Sequence, residues 1–340
     1  MPPMSATVTL TAPVKTQNNE DEMYLASDDK TIEMLEKNAE EKPQELQIVW
    51  FNIFSFSLIH LGGLYGFYHL LCYATWPTIL WTFFLFLFAN MGITAGSHRL
   101  WSHRSYKAKL PTRIVLMIAT TVAFQNGVIE WVRDHRCHHK WTDTDADPHN
   151  SRRGFFYSHV GWLLTRKLPQ LKEMGAKIDL SDLYADPVLV FQQKNIVAMV
   201  LICCFLLPTA IPVYFWGEDL LVAYTVAVGF RYAFCLNTTW LINSAAHMFG
   251  NKPYDASISP VESPFTNALA VGEGGHNFHH TFPQDYRTSE FGWTTNWTHA
   301  VLDFLAWTGQ IYDMKIATPE MIARQMASKG DGTRMKHHHH

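Results

Sequence analysis

PTILWTFFLFLFANMGITAGSHRLWSH, residues 77–103, decides how the rest of the chain is read. Its first part, Pro77–Gly96, is uncharged and rich in Phe and Leu. At about 1.5 Å per residue such a helix is about as long as a bilayer's hydrocarbon core is thick. The run then breaks into His98, Arg99 and His103, so an apolar helix ends where imidazoles begin.

Three other apolar runs accompany it. Gln47–Tyr73 is almost uncharged and longer than a membrane core requires, Asn195–Phe215 is rich in Leu and Ile, and Leu220–Leu241 carries one charge, Arg231. Ala74–Trp76 and Trp216–Asp219 leave room only for turns, so the four runs pair into two helical hairpins. The stretch from Arg99 to Gln193 holds 14 Lys and Arg, and the hairpin tips hold none. Positive charge stays on the cytosolic side, which places that stretch, the N-terminus and the C-terminal third there. Ile114–Val128 is also apolar, but Thr120, Thr121, Gln125 and Asn126 interrupt it. It reads as a buried or interfacial helix, because a fifth span would put the histidines on opposite faces of the membrane. Arg231 inside a span needs a partner, whether functional or simply backbone carbonyls.

The expected fold is therefore an all-α membrane protein, with four transmembrane helices in two hairpins under a cytosolic helical cap. Residues 1–46 are polar and read as a largely disordered cytosolic N-terminus with a short helix near Thr31–Glu41. Hairpin 1 covers 47–98, the first part of the cap 99–193, hairpin 2 194–243, and the second part of the cap 244–327. The tail 328–340 ends in four histidines, 337–340, that look like an affinity tag and take no part in the chemistry. Composition agrees: 17% of the 340 residues are charged, against 12 Trp, 13 Tyr and 22 Phe. A formal net charge of −3 gives no reason to expect nucleic acid. Five cysteines without a CxxC pair indicate neither a disulfide framework nor a zinc knuckle. No cleavable signal sequence is visible, so insertion is expected to rely on the internal segments.

The histidines carry the chemistry. They gather as His98 with His103, as His135, His138 and His139, and as His276, His279 and His280, with Asn243 and His247 just past the fourth apolar run. Side chains at i, i+3 and i+4 share one helix face, so each triplet can aim several imidazoles at one point. Imidazole suits iron, zinc and copper. Nine His and one Asn exceed the needs of one ion and fit two. A zinc protease would need the Glu of HExxH, and a ferritin-like site would need Glu-x-x-His pairs; the clusters have neither. His60, His69, His149, His159 and His299 stand apart and read as structural. A metal site beside apolar helices suits a lipid whose unactivated C–H bonds no side chain can deprotonate, which calls for an oxidant made from O₂.

HRLWSH (98–103), EWVRDHRCHH (130–139), NSAAHMFG (243–250) and GEGGHNFHH (272–280) resemble the animal acyl-CoA desaturases, the stearoyl-CoA desaturase group, and their wording is similar to insect members. The likeness runs from about Trp50 to Asp313. It implies four spans, a cytosolic catalytic cap and two iron ions. His98, His103, His135, His138, His139, His247, His276, His279 and His280 would be direct ligands, with Asn243 holding an iron through water. It also implies a bent, closed acyl tunnel with Gln125, Trp131 and Thr239 at the bend. Phe86 and Asn90, one turn apart, would set chain length near the closed end; many relatives carry a small residue in place of Asn90. Asn52, Asn126, Arg133, Asp134, Arg166, Lys167 and Trp240 match positions that bind the CoA headgroup, where Arg and Lys would pair with phosphates. Arg166 and Lys167 could equally form a juxtamembrane basic patch facing anionic lipid.

The implied reaction inserts a cis double bond, Δ9 or Δ11, into a long-chain acyl-CoA in the endoplasmic reticulum membrane, with both termini cytosolic. O₂ is the co-substrate, and electrons come from a separate cytochrome b5 and its NADH-dependent reductase, since the chain has no HPGG-type haem segment. A lipid hydroxylase or alkane monooxygenase would share metal and O₂; EWVRDHRCHH with Gln125, Trp131 and Thr239 favours desaturation. A metal transporter would hold its site near the bilayer midplane, whereas these clusters lie beyond the span ends. The sequons Asn237-Thr-Thr and Asn296-Trp-Thr fall in or beside a span and on the cytosolic side, so neither is expected to be glycosylated.

Overall fold

The computed structural model describes residues 29–41, 44–290 and 292–333, and the backbone of Val14–Thr16. The rest of the polar N-terminus and the histidines at 337–340 lie outside the described residues. Helix α1, Asp29–Glu41, falls where the short N-terminal helix is expected. Leu35 anchors it, buried against Cys137, Trp141 and Leu171 of the cap.

α2 spans Trp50–Cys72 and α3 spans Trp76–Ser102. Leu110–Ala123 forms α4 and Val128–Lys140 forms α5, bent by 83° from one to the other. α6, Pro187–Trp216, and α7, Leu220–His247, make the second long pair. Local chemistry sets the boundaries. Pro occupies the first turn of α3, α4 and α6, where its missing N–H has no bond to lose. Asp186 caps α6 by accepting from the N–H of Val188, and Asp219 caps α7 by accepting from those of Leu221 and Val222. Between α6 and α7, Gly217 turns the chain at φ 70°.

Among the described residues, α3, α6 and α7 are long and apolar enough to cross a membrane. α2 is one of the four expected spans and is 23 residues long, yet it falls short in composition, because Asn52, Tyr65, Tyr68, two His and three Gly dilute its Phe and Leu. The α4–α5 pair passes only as a broken span or a re-entrant loop. Residues 116 to 123 of α4 are almost all buried, which agrees with a buried helix there.

Close backbone approach joins the first pair of helices to the second. A Cβ on Gly66 would lie 2.0 Å from the Thr225 carbonyl oxygen, and one on Gly63 would lie 2.5 Å from the Ala233 Cβ. Small residues at such a crossing let helices meet where lipid offers no hydrophobic drive. At the far end Glu218 accepts from Thr75 N–H at 3.0 Å and from the Thr75 hydroxyl at 2.6 Å, tying the two tips. Arg231 is fully buried and donates to the carbonyls of Ala227 (3.1 Å), Val122 (2.7 Å) and Cys204 (3.1 Å), so its partners are backbone oxygens of α7, α4 and α6.

The cap packs on the lower end of α3. Leu100, Trp101, Tyr106, Val132, Leu189, Leu302 and Met314 form one core there. Strands among the described residues are confined to two short ladders. Lys107–Ala108 pairs antiparallel with Ile311–Tyr312. Val14–Thr16 runs parallel to Met314–Ile316, so part of the N-terminus expected to be without structure adds an edge to the cap. Neither sequon asparagine is free: Asn296 is buried and Asn237 bonds His60 and His159.

The helix crossing gives a direct test. Gly66→Val should cost roughly 3 kcal/mol or more through overpacking against Thr225. Gly62→Ala, which meets nothing within 4 Å, should stay within about 0.5 kcal/mol of the parent. Thermal unfolding of both variants in the same detergent distinguishes them.

Candidate metal centre

Four parts of the chain deliver the histidines. α3 ends in a widened, π-type stretch, Gly92–Ser102, that carries His98, and His103 follows with its N–H on the His98 carbonyl at 3.1 Å. Widened turns of this kind recur at functional sites, where they re-aim a side chain. α5 presents His135, His138 and His139 from one face. α7 ends at His247. α8, His276–Thr281, adds His276, His279 and His280.

They converge into two groups. Ligand atoms of His98, His103, His135, His139 and His279 lie within 4.8 Å of one another, and so do those of His138, His247, His276 and His280. In the first group the Nε2 atoms of His98 and His279 are 2.9 Å apart, those of His279 and His139 3.0 Å, and those of His103 and His135 2.8 Å. In the second, His280 Nε2 is 3.2 Å from both His138 and His276, and His276 is 3.1 Å from His247.

Hydrogen bonding alone does not account for this packing. A neutral imidazole has one N–H and one lone pair. His98 Nδ1 lies 2.9 Å from Glu273 Oε2, and His138 Nδ1 lies 2.9 Å from Asp147 Oδ2. A carboxylate at Nδ1 keeps the proton there and leaves a bare lone pair at Nε2. His247 Nδ1 faces Ser259 Oγ at 3.3 Å and Asp143 at 3.7 Å. Burial first, and the neighbouring imidazoles second, hold His103, His135, His139, His276, His279 and His280 well below the ordinary histidine pKa, so the rings are neutral. Buried lone pairs facing one another at 3 Å repel unless a cation lies between them. An all-nitrogen donor set around each of two points fits a pair of borderline transition-metal ions.

The supporting shell was not foreseen from the sequence. Burial alone would raise the Glu273 carboxyl, but Arg99 and His98 outweigh it and bring its pKa down to about 2. Arg99, fully buried, donates to Glu273 at 2.5 Å and to the Tyr286 carbonyl at 2.9 Å. Asp147 is likewise held low, because His138 and His149 outweigh its burial. The signal was present in GEGGHNFHH, with an acid three residues before the first histidine, and in the run of acids Asp143, Asp145 and Asp147 after the second cluster. His149, read as structural, packs beside Asp147 and His138, and the three lie close enough together to form a third group. His60, His69, His159 and His299 bond Phe56 O, Thr225, Ser244 and Asp303 respectively, away from the two groups.

The expected tunnel and headgroup residues divide. A cavity of about 260 Å³ is lined by Gln125, Trp131 and Thr239 as well as Asn126, Asp134 and Trp240, and it reaches His135, His149 and Asn243. A narrow extension of about 30 Å³, also lined by Trp131, Thr239 and Asn243, touches His98, His138 and His276. Gln125 donates to the Thr239 hydroxyl at 2.9 Å, closing one wall. Asn90 is buried and donates to the Phe86 carbonyl and to Cys235 Sγ, one turn before Thr239. Phe86 lines neither of these spaces: it packs on Phe234 with the rings tilted by 43° and faces an outer groove with Trp297. Arg133 and Lys167 gather around Asp134 at 2.9 and 2.5 Å, at the polar mouth. Asn52 donates to the Leu163 carbonyl at 2.7 Å, and Arg166 is exposed beside them.

Apolar helices, a buried polyhistidine metal centre and an apolar cavity leading to it define a membrane metalloprotein built to meet a lipid. The sequence profile of the fatty acid desaturase family matches residues 74–300, and the chain belongs to that family. It is 58% identical to the Delta(9)-fatty-acid desaturase fat-6 of Caenorhabditis elegans, over 90% of this chain and 91% of that protein. It is 51% identical to an acyl-CoA Delta(11) desaturase of Spodoptera littoralis, over 91% and 90%. It is 52% identical to stearoyl-CoA desaturase 5 of Homo sapiens, over 85% and 88%.

Loss of an outer carboxylate should loosen one group selectively. Glu273→Gln should lower metal affinity by about 10–100-fold at the group containing His98, and Asp147→Asn should do the same at the group containing His138. Metal content after timed dialysis against a chelator measures each, with half the metal leaving early in either variant.

Proposed function

We propose that the chain is a fatty acyl-CoA desaturase whose two groups of histidines hold two iron ions and which uses O₂ to place a cis double bond, Δ9 or Δ11, in a long saturated acyl chain. One observation carries the reading: two sets of buried imidazoles, oriented by carboxylates, stand at the end of an apolar cavity. His98, His103, His135, His139 and His279 would hold one iron, and His138, His247, His276 and His280 the other. Asn243, which faces the narrow end of the cavity, would act on the second through water. Bound iron supplies an oxidant made from O₂, which no side chain can provide. The balance is –CH₂–CH₂– + O₂ + 2 e⁻ + 2 H⁺ → –CH=CH– + 2 H₂O, the electrons coming from cytochrome b5 and its NADH-dependent reductase.

The remaining residues position the substrate. Gln125, Trp131 and Thr239 shape the cavity next to the ligands, so the chain must bend there, and a bent chain favours a cis product. Arg133, Arg166 and Lys167 stand at the mouth, where phosphates of CoA can exchange with the Asp134 and Glu130 carboxylates that now hold Arg133 and Lys167. Asn52, Asn126 and Trp240 line the approach. Asn90, bonded to Cys235 one turn from Thr239, would close the far end, and Phe86 would limit chain length from outside through its packing on Phe234. Four spans, α2, α3, α6 and α7, anchor the cap on the cytosolic face of the endoplasmic reticulum membrane, with both termini on that side. Support for α2 as the fourth span comes from the apolar side chains it exposes on the side away from α7, among them Phe54, Leu58, Leu61, Leu64 and Leu71.

Expression in a desaturase-deficient yeast, with double bonds located by mass spectrometry, tests the reading. The product should be two hydrogens lighter than its precursor; a product heavier by one oxygen would make the enzyme a hydroxylase. His98→Ala, His138→Ala and His279→Ala should each abolish product at similar protein levels, and near-normal activity in all three would refute the ligand set. Phe86→Ala and Asn90→Ala should shift the profile toward longer chains in mixed acyl-CoA assays.

A further inference from the structure

A second opening reaches the metal centre from the side opposite the acyl cavity. It is a polar cavity of about 610 Å³, far above the roughly 30 Å³ share of one water in the liquid. α1 forms one wall through Asp29 and Ile32, and a further helix, Pro319–Lys329, forms another through Met321 and Gln325. Its floor includes His139 and His280, one imidazole from each group. The acyl cavity and its extension touch neither; they meet His98, His135, His138 and His276. The charged residues around the polar cavity balance, with Asp29, Asp143 and Asp255 against Arg152, Arg324 and Lys329. That balance does not select an anion or a cation, and it suits water. Close to the metal groups, Ser259 donates to Asp143, whose carboxylate also accepts from Ser151 N–H at 2.7 Å.

Desaturation makes such an opening necessary. Each turnover takes up two protons from the aqueous phase and releases two waters, while the acyl cavity is filled by an apolar chain that conducts neither. We infer that the polar cavity between α1 and the Pro319–Lys329 helix is the water and proton port of the metal centre. The inference rests on the desaturase reading, and it assigns Ile258 and Gln325, which line the port without touching a ligand group, as the residues that set its width.

Azide, a small anion that binds oxidised iron and changes its absorption, is the probe, used on full-length iron-loaded protein in detergent. With saturating stearoyl-CoA bound, azide should still bind the parent protein. The double variant Ile258→Trp/Gln325→Trp should bind it about tenfold more slowly, roughly 1.4 kcal/mol on the entry barrier, with stearoyl-CoA affinity unchanged. Ile258→Ala/Gln325→Ala should bind it faster, which keeps the test decisive if the tryptophan variant fails to fold. Azide excluded by stearoyl-CoA alone, or rates unmoved in the alanine variant, would overturn the port. A parent protein that binds iron and azide but makes no alkene would count against the desaturase reading and leave the azide rates to judge the port separately.

Discussion

Nine imidazoles brought nose to nose in two buried groups are the constraint on which the rest of this structure depends. Each ring has given up bulk water, and most share the space around Nε2 with a neighbour at about 3 Å. Such an arrangement is unfavourable until positive charge enters, so the protein around it must be strong enough to hold the rings in place. Arg99 shows how: a fully buried guanidinium ties Glu273 to the Tyr286 carbonyl, and Glu273 in turn orients His98. Arg136 does the same for the other wall, holding the Trp101 carbonyl and Asp182 at 2.8 and 2.7 Å. A buried charge is costly unless it is paired, and both guanidiniums stand where histidine-bearing helices, α3 and α5, meet the segments packed against them.

What was legible in the sequence follows from which signals are local. Pro77–Gly96 announces its helix through composition, and His135, His138 and His139 announce a shared face through spacing, since both are properties of a few consecutive turns. Gln125 and Asn126 read as interruptions within one helix, Ile114–Val128, whereas the helix stops at Ala123 and the chain bends by 83° into α5, which nothing local fixes. The outer carboxylates were missed because their role exists only after folding: Glu273 meets Arg99 across 174 residues of chain. The neighbourhood of His149 is hidden for the same reason, as its spacing from His138 matches no regular element and a loop brings the two rings to 4.3 Å. α2 was expected to span on grounds of length and apolar content, and Gly63, Gly66, His60 and His69 dilute that signal because they pack against α7.

The turn between α4 and α5 shows how membrane architecture and site geometry are joined. Phe124 and Asn126 both adopt positive φ, 47° and 68°, conformations that a non-glycine residue keeps only when its surroundings insist. Two side chains from α7 insist here. Arg231 caps the Val122 carbonyl at 2.7 Å, and the Tyr232 hydroxyl donates to the Phe124 carbonyl at 3.0 Å. These are carbonyls at the end of α4, where a helix leaves its last acceptors without partners. In water they would be solvated; in an apolar setting they must find donors within the protein. The buried arginine in α7 is thus the counterpart of a helix that stops short inside the fold. Because the helix stops, the chain can turn into α5, and because it turns, Gln125 and Asn126 face the cavity while Trp131 and His135 follow one and two turns later. Bend, cavity and the position of the first histidine of α5 come from one termination event, and Arg231 is what makes that termination affordable in a non-aqueous environment.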